Sequence, residues 1–229
     1  MNPIYSASRK YTREIKKYFR FNKIYSRYRQ FTMVTQKDFI DCMDLVSRYK
    51  LINGAVIECG VWKGGMIAGM ADVLLDPERT YYLFDSFEGL PLAKEIDGTR
   101  AIKWQEDKKS PFYYNNCSSD ETWAEKAMDI SSKKKYHIKK GWFENTIPCF
   151  EINEPIAILR LDADWYDSTM TCLVHLFPKV QTGGLIILDD YYAWDGCSKA
   201  VHEYLSRNKR PERIRSAYSS GCYIIKEEG

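Results

Sequence analysis

No stretch of this chain stays apolar for the ~20 residues that a bilayer crossing needs, and its N-terminus carries charge where a secretory leader needs an apolar centre. A cytoplasmic protein without a transmembrane segment is expected. Histidine is scarce, with three residues in 229. His137, His175 and His202 each stand on or near an apolar periodic segment without a matching ligand partner, so imidazole chemistry is not expected. The seven cysteines (42, 59, 117, 149, 172, 197 and 222) are odd in number, scattered, and form no CxxC pair. That argues against both a disulfide framework and a zinc site and suits reduced packing residues. A GxGxxG turn and the Lys-Ser/Thr of a phosphate loop are also missing, which disfavours a dinucleotide or ATP site. There is no internal repeat and no low-complexity tract.

What is present is ordinary in bulk, with 45% hydrophobic and 28% charged residues. The length suits one sizeable core plus an appendage. Charge is distributed unevenly. Residues 1–31 hold nine Lys/Arg against Glu14, giving +8 there and leaving −5 for the rest of a chain whose total is +3. In this segment Tyr11, Ile15, Tyr18, Asn22 and Tyr25 recur at three- and four-residue spacing, which predicts a basic amphipathic helix with an aromatic stripe. Cations interleaved with aromatics suit nucleic acid or an anionic membrane. Packing on the body or on a second subunit is the expected use, so a homo-oligomer is expected and nucleic acid is not. Residues 1–34 are read as this arm and 35–229 as the main domain.

Within the domain, strand and helix patterns alternate. Thr35 to Asp38 reads as a capping box with Asp in place of Glu/Gln, opening a helix with Phe39, Met43 and Val46 on one face. Ala55 to Gly60 is a buried-strand run followed by a Gly-rich turn and a helix over 66–75. A second strand ends at Asp85. Residues 86–118 lack periodicity and predict a long loop or short helical insert, which at that length points to a lid. Further on, the pattern predicts helices at 120–130, 168–180 and 197–207, and strands at 135–139, 156–161 and 185–188. The tail GCYIIK predicts a last strand, paired in a hairpin with the region near Ile214. Together these give an α/β fold, an open, mostly parallel sheet of the Rossmann-like kind flanked by helices, with an N-terminal helical extension.

Ligands of such sheets bind beyond the carboxyl ends of the strands, and the unusual residues fall there. In VIECGVWKGG, Glu58 closes a strand, Gly60 permits a tight turn, and Gly64 and Gly65 open the next helix. An acidic strand end followed by a glycine turn suits a cofactor with an amino-acid-like cation and no phosphate, as S-adenosylmethionine has. Asp85 is placed where an acidic residue takes ribose hydroxyls. The stretches AILRLDADWYDST and GGLIILDDYY each run from an apolar strand into paired carboxylates. Like charges a few ångströms apart need a neutralising partner. Asp162, Asp189 and Asp190 offer hard oxygen ligands of the kind Mg²⁺ takes. Asp164 could be a fourth ligand, a base or a turn former.

Five blocks, VIECGVWKGG, YLFDSFEGLP, KGWFENTIP, LRLDADWYDST and GGLIILDDYYAWDGC, resemble in order the macrocin O-methyltransferase family, over about Val56 to Cys197. The resemblance implies a class I methyltransferase with a seven-stranded sheet that uses Mg²⁺ to methylate sugar hydroxyls of a saccharide or glycoside. It implies that Glu58, Gly60 and Gly64 hold the methionine end of the cofactor, Asp85 and Ser86 its ribose, and Gly141 with Trp142 its adenine. It further implies Mg²⁺ on Asp162, Asp189 and Asp190, with Asp164 as general base. The chain departs from the family pattern at Ala163, where Gly is usual, at Trp165, where Leu is usual, and at Asn145, where Asp or Glu is common. Trp165 beside the site could narrow it or stack on the acceptor. Two other classes fit parts of the pattern: a Mg²⁺-dependent phosphohydrolase of haloacid-dehalogenase type, from DxD at a strand end, and an RNA-binding module using the basic arm. The late position of the DxD and Tyr166 after it oppose the first, and the lack of a base-reading motif opposes the second.

Overall fold

The computed structural model describes residues 3–131 and 135–228. Helix α1 (Pro3–Tyr28) is followed by a single tight turn, Arg29–Phe31, and by α2 (Gln36–Ser47). The order then runs β1 (Ala55–Cys59), α3 (Gly65–Leu74), β2 (Tyr81–Asp85), α4 (Thr99–Glu106), α5 (Glu121–Ile130), β3 (Tyr136–Lys140), α6 (Phe143–Thr146) and β4 (Ile156–Leu161). It closes with α7 (Tyr166–Leu176), β5 (Val180–Leu188), α8 (Asp195–Arg207), β6 (Arg215–Ser216) and β7 (Cys222–Ile225). Among the described residues the strands form one seven-stranded sheet in the order β3-β2-β1-β4-β5-β7-β6. The first five are parallel, and β7 runs antiparallel to both β5 and β6.

The sheet is buried on both faces because its strands supply apolar side chains to each in alternation. In β5, Leu185 and Ile187 join a core with Phe39 and Met43 of α2 and Ile67 and Met70 of α3, whereas Ile186 and Leu188 join Leu173 and Leu176 of α7 and Val201 of α8. Phe21, Tyr28 and Phe31 belong to the first of these cores, so the C-terminal half of the basic helix is built into the body. Burying each such side chain stabilises the fold by roughly 1.5–3 kcal/mol. Of the predicted aromatic stripe, Tyr11 has a side chain outside the described set, and Tyr18 is exposed.

Thr35 caps α2 as read, accepting from the Asp38 amide at 3.2 Å, but the reciprocal half of the box differs: Asp38 Oδ2 accepts from the Thr35 hydroxyl at 2.9 Å. Several element ends differ from the pattern. Helix α7 starts at Tyr166 and stops at Leu176, giving way to a tight turn over Phe177–Lys179; Pro178 has no amide hydrogen to continue it. Strand β5 begins at Val180, through the Gln-Thr-Gly-Gly run that breaks its apolar pattern. The insert over 86–118 holds α4 and a short turn of helix, Glu95–Asp97. Later in the insert, Tyr114 to Cys117 are four consecutive non-glycine residues with φ of +50° to +60°. This run costs roughly 1–2 kcal/mol per residue. It is held by Asn116, whose carbonyl accepts from the Leu90 amide at 2.9 Å and whose Nδ2 donates to the Leu90 carbonyl at 2.7 Å.

Candidate active site

The chain reverses direction across the sheet between β1 and β4, and a cavity of about 350 Å³ opens beyond the carboxyl ends of the strands there. Gly60, Asp85, Ser86, Trp142, Asp162, Asp164, Asp189 and Asp190 all line it. Gly64 and Gly141 shape turns beside it, at φ of +82° and +138°. Glu58 is not among the lining residues: its carboxylate lies behind the cavity and is 1% exposed.

The glycine turn after β1 is required by the protein's own packing. Gly60 has φ +86°, and a Cβ there would fall 1.7 Å from the Asp162 carbonyl oxygen. The bare backbone thus lets the β1 and β4 ends close on each other, the Asp162 amide donating to the Cys59 carbonyl at 2.8 Å. Asp85 holds the turn from the other side. Its two oxygens accept from the Trp62 and Phe87 amides, each at 2.7 Å. Burial raises its pKa, against the opposing pull of these amides.

Between the two acidic strand ends lies Arg160, fully buried within β4. It donates to Glu58 Oε1 at 2.5 Å, to Asp162 Oδ2 at 3.0 Å and to Asp189 Oδ1 at 2.5 Å, and Asp189 Oδ1 also accepts from the Tyr218 hydroxyl. One guanidinium therefore serves three carboxylates. Burial pushes Glu58 up to about 8, more than the attraction of Arg160 brings it down.

Asp162, Asp164 and Asp190 are the set whose oxygens converge, within 4.8 Å of one another. Asp189, expected from sequence as a ligand, faces the cavity but commits one oxygen to Arg160 and Tyr218. Asp164, which the sequence left open as a fourth ligand, a base or a turn former, lies in the convergent set. Its backbone is left-handed, φ +51°, an unfavoured state for a non-glycine residue that aims its side chain at the cluster, and its Oδ1 accepts from Trp194 Nε1 at 2.9 Å. Burial and the charge of their neighbours raise Asp164 and Asp190 well above the ordinary carboxylate range, and burial with Asp189 lifts Asp162 to about 6. Asp190 Oδ2 is buried without a hydrogen-bond partner. Clustered oxygen donors, mutual repulsion and a buried lone carboxylate oxygen together fit a hard divalent cation.

The insert closes one side. Trp165 Nε1 donates to the Pro91 carbonyl at 2.9 Å, and the Tyr166 amide donates to Asp97 Oδ1 at 2.7 Å. Trp104, Trp165 and Trp194 meet edge to face, with ring centres 5.3–6.2 Å apart. Trp165 therefore acts as a buried wall behind the cavity. Arg160, Tyr218, Trp104 and Trp194 were not singled out from sequence. An arginine inside the apolar run AILRL was the available signal, since a buried arginine needs partners.

The family model described as Macrocin-O-methyltransferase (TylF) matches residues 26–226. Demethyldecarbamoylnovobiocin O-methyltransferase of Streptomyces niveus is 31% identical over 75% of this chain and 66% of its own. Mycinamicin III 3''-O-methyltransferase of Micromonospora griseorubida is 30% identical over 75% of this chain and 68% of its own. The matched part thus spans about two thirds of these relatives' length. Among solved structures, the O-methyltransferase NovP superposes with a TM-score of 0.72 at 25% identity, over 86% of this chain and 83% of that one. The calicheamicin methyltransferase CalS11 shares the fold, with a TM-score of 0.68 at 17% identity over 94% and 93% of the two chains. The family model matches most of the chain's length, and the chain belongs to the macrocin O-methyltransferase family.

Proposed function

We propose that this protein transfers a methyl group from S-adenosylmethionine to a hydroxyl of a saccharide or glycoside with the help of Mg²⁺. The observation that carries the reading is one cavity lined both by the turn-and-acid elements of β1 and β2 and by the convergent carboxylates Asp162, Asp164 and Asp190. Gly60, Asp85, Ser86 and Trp142 would face the cofactor, with Gly64 and Gly141 shaping the loops around it. Asp162 and Asp190 would hold the cation, Asp164 would stand beside it, and Asp189 would back them through Arg160. When bound, the cofactor supplies an electrophilic methyl group, and the cation neutralises the carboxylates and acidifies an adjacent hydroxyl.

The chain's own residues do the rest. Asp164, fixed by the Trp194 indole, accepts the hydroxyl proton. The insert, latched through Trp165 and Asp97, limits the water that would compete with the acceptor. Positioning contributes much of the rate.

Support for a sugar acceptor comes from the name of a relative in Streptomyces olivaceus, 8-demethyl-8-(2,3-dimethoxy-alpha-L-rhamnosyl)-tetracenomycin-C 4'-O-methyltransferase, whose substrate carries a rhamnosyl group. A homo-oligomer and a cytoplasmic location belong to the same reading. Ile15, Tyr18 and Phe19 are exposed along α1, and no helix among the described residues is long and apolar enough to cross a membrane. Replacing Ile15, Tyr18 and Phe19 by serine, which spares the core residues Phe21 and Tyr28, should lower the mass measured by sedimentation; an unchanged mass would remove these side chains from the interface.

The decisive experiment is calorimetric titration of S-adenosylmethionine and of Mg²⁺ into wild type and an Asp162→Asn, Asp190→Asn double variant. Cofactor binding by both proteins, with Mg²⁺ binding lost in the variant, is the expected result. Absence of cofactor binding under any condition would refute methyl transfer.

A further inference from the structure

The cavity is chemically one-sided. Its described lining holds six carboxylates, from Asp38, Asp85, Asp162, Asp164, Asp189 and Asp190, and no lysine or arginine. Cations close by are already engaged, Arg160 from behind with Asp162 and Asp189 and others at the edge. The Lys63 ammonium lies 4.3 Å from the centre of the Trp62 ring, and Lys94 pairs with Asp167 at 2.5 Å. Arg100 lies over Trp194 at 5.1 Å and donates to the Ala193 carbonyl at 3.2 Å.

Aromatic rings from the insert complete the lining: Trp104, Phe112 and Tyr114, joined by Trp194. The indole N–H groups are committed, Trp104 to the Phe112 carbonyl at 3.1 Å and Trp194 to Asp164. What these two side chains offer a ligand is therefore ring surface. Phe112 is 67% exposed and Tyr114 43% exposed, so apolar area continues outward from the aspartates to solvent. Exposed aromatic surface continuous with a polar reaction centre is the pattern of a pocket that fixes one end of a ligand by polar groups and stacks the other.

Resting on the methyl-transfer reading, we propose that Trp104, Phe112, Tyr114 and Trp194 form a stacking subsite for the aglycone of an uncharged acceptor glycoside, and that nucleoside-diphosphate sugars are poor acceptors. The sugar hydroxyls lie at the aspartates, and a flat apolar aglycone extends along the rings towards Phe112. A diphosphate in that position meets six carboxylates on one side and aromatic faces on the other, and the cations at the edge, Lys63 and Arg100, are held over Trp62 and Trp194. This separates the chain from the type of acceptor named for CalS11, a TDP-rhamnose methyltransferase that shares the fold.

The test is calorimetric, on the full chain loaded with S-adenosylhomocysteine and Mg²⁺. The probes are 4-methylumbelliferyl and methyl glycosides of rhamnose, glucose, galactose and mannose, together with thymidine-diphosphate rhamnose. For at least one sugar the aryl glycoside should bind about 10-fold tighter than its methyl counterpart, and about 10-fold tighter than the nucleotide sugar. Trp104→Ala should abolish that preference. Phe112→Ala, at an exposed position where the fold is spared, should reduce it about 3-fold or more. An aryl-to-methyl ratio near one for every sugar, a ratio unmoved by Phe112→Ala, or equal binding of the nucleotide sugar would overturn the proposal. Loading with S-adenosylhomocysteine is measured first: its failure overturns the methyl-transfer reading itself, whereas successful loading with a ratio near one overturns only the stacking subsite.

Discussion

Arg160→Met tests how the buried charges are held. Methionine keeps much of the side chain's length and removes its charge, leaving Glu58, Asp162 and Asp189 without the guanidinium that now lies 2.5–3.0 Å from each. Removing one partner of a buried ion pair costs about 3–5 kcal/mol. At about 2–4 °C per kcal/mol for a domain of this size, the melting temperature should fall by roughly 6–20 °C. The loss should depend on pH. Folding raises Glu58 from its ordinary 4.5 to about 8 even with Arg160 pulling it down, and the variant's value must lie higher. A carboxyl raised in the folded state lends stability below its unfolded pKa and loses it as pH rises through its folded pKa. Wild type therefore loses this contribution between about pH 4.5 and 8, and the variant goes on losing it beyond. The deficit should be small at pH 5 and largest at pH 8 and above. Circular-dichroism melts and urea titrations of both proteins in EDTA at pH 5, 6.5 and 8 would measure it. A deficit below about 1 kcal/mol at pH 8, or one that does not change with pH, would refute the reasoning.

Three further outcomes are expected. Mg²⁺ affinity should rise with pH, because the cation displaces protons from Asp162, raised to about 6, and from Asp190, which burial and its neighbours also raise; calorimetry at pH 5 to 8 showing a flat profile would count against it. Gly60→Ala should give insoluble or unfolded protein, since its Cβ meets the Asp162 carbonyl at 1.7 Å, whereas Gly183→Ala, with φ +79° and open space around it, should cost only about 1 kcal/mol by urea denaturation. Asp38→Ala removes the acceptor of the Ser219 hydroxyl at 2.7 Å and of Thr35, and should lower stability by about 1–3 kcal/mol in the same assay.

How much of this could be read from sequence depended on the range of the interaction concerned. Ile156–Leu161 was read with its true limits because a central parallel strand is apolar on both faces and needs no partner to be recognised. The start of β5 was not, because Gly183 and Gly184 break the pattern while backbone pairing continues, as between Val180 and Ile156. The same contrast holds at the site. Two acidic strand ends announced a charged centre, but sequence gave no means of deciding which of four aspartates converge. That choice is made by Arg160, whose partners Glu58 and Asp189 stand 102 and 29 residues away. It is made again by Trp194, which reaches Asp164 across 30 residues. Spacing along a chain cannot report contacts that only the sheet order creates.

The tryptophan cluster has a use in the laboratory. Indoles with ring centres 5.3–6.2 Å apart at steep mutual angles couple their excited states, and such coupling gives a paired band of opposite signs in circular dichroism. Trp104 belongs to the insert while Trp165 and Trp194 belong to the loops after β4 and β5. Half of the chain's six tryptophans thus form a native spectroscopic ruler between insert and reaction centre. Any ligand that shifts α4 by an ångström should register in that band without a label.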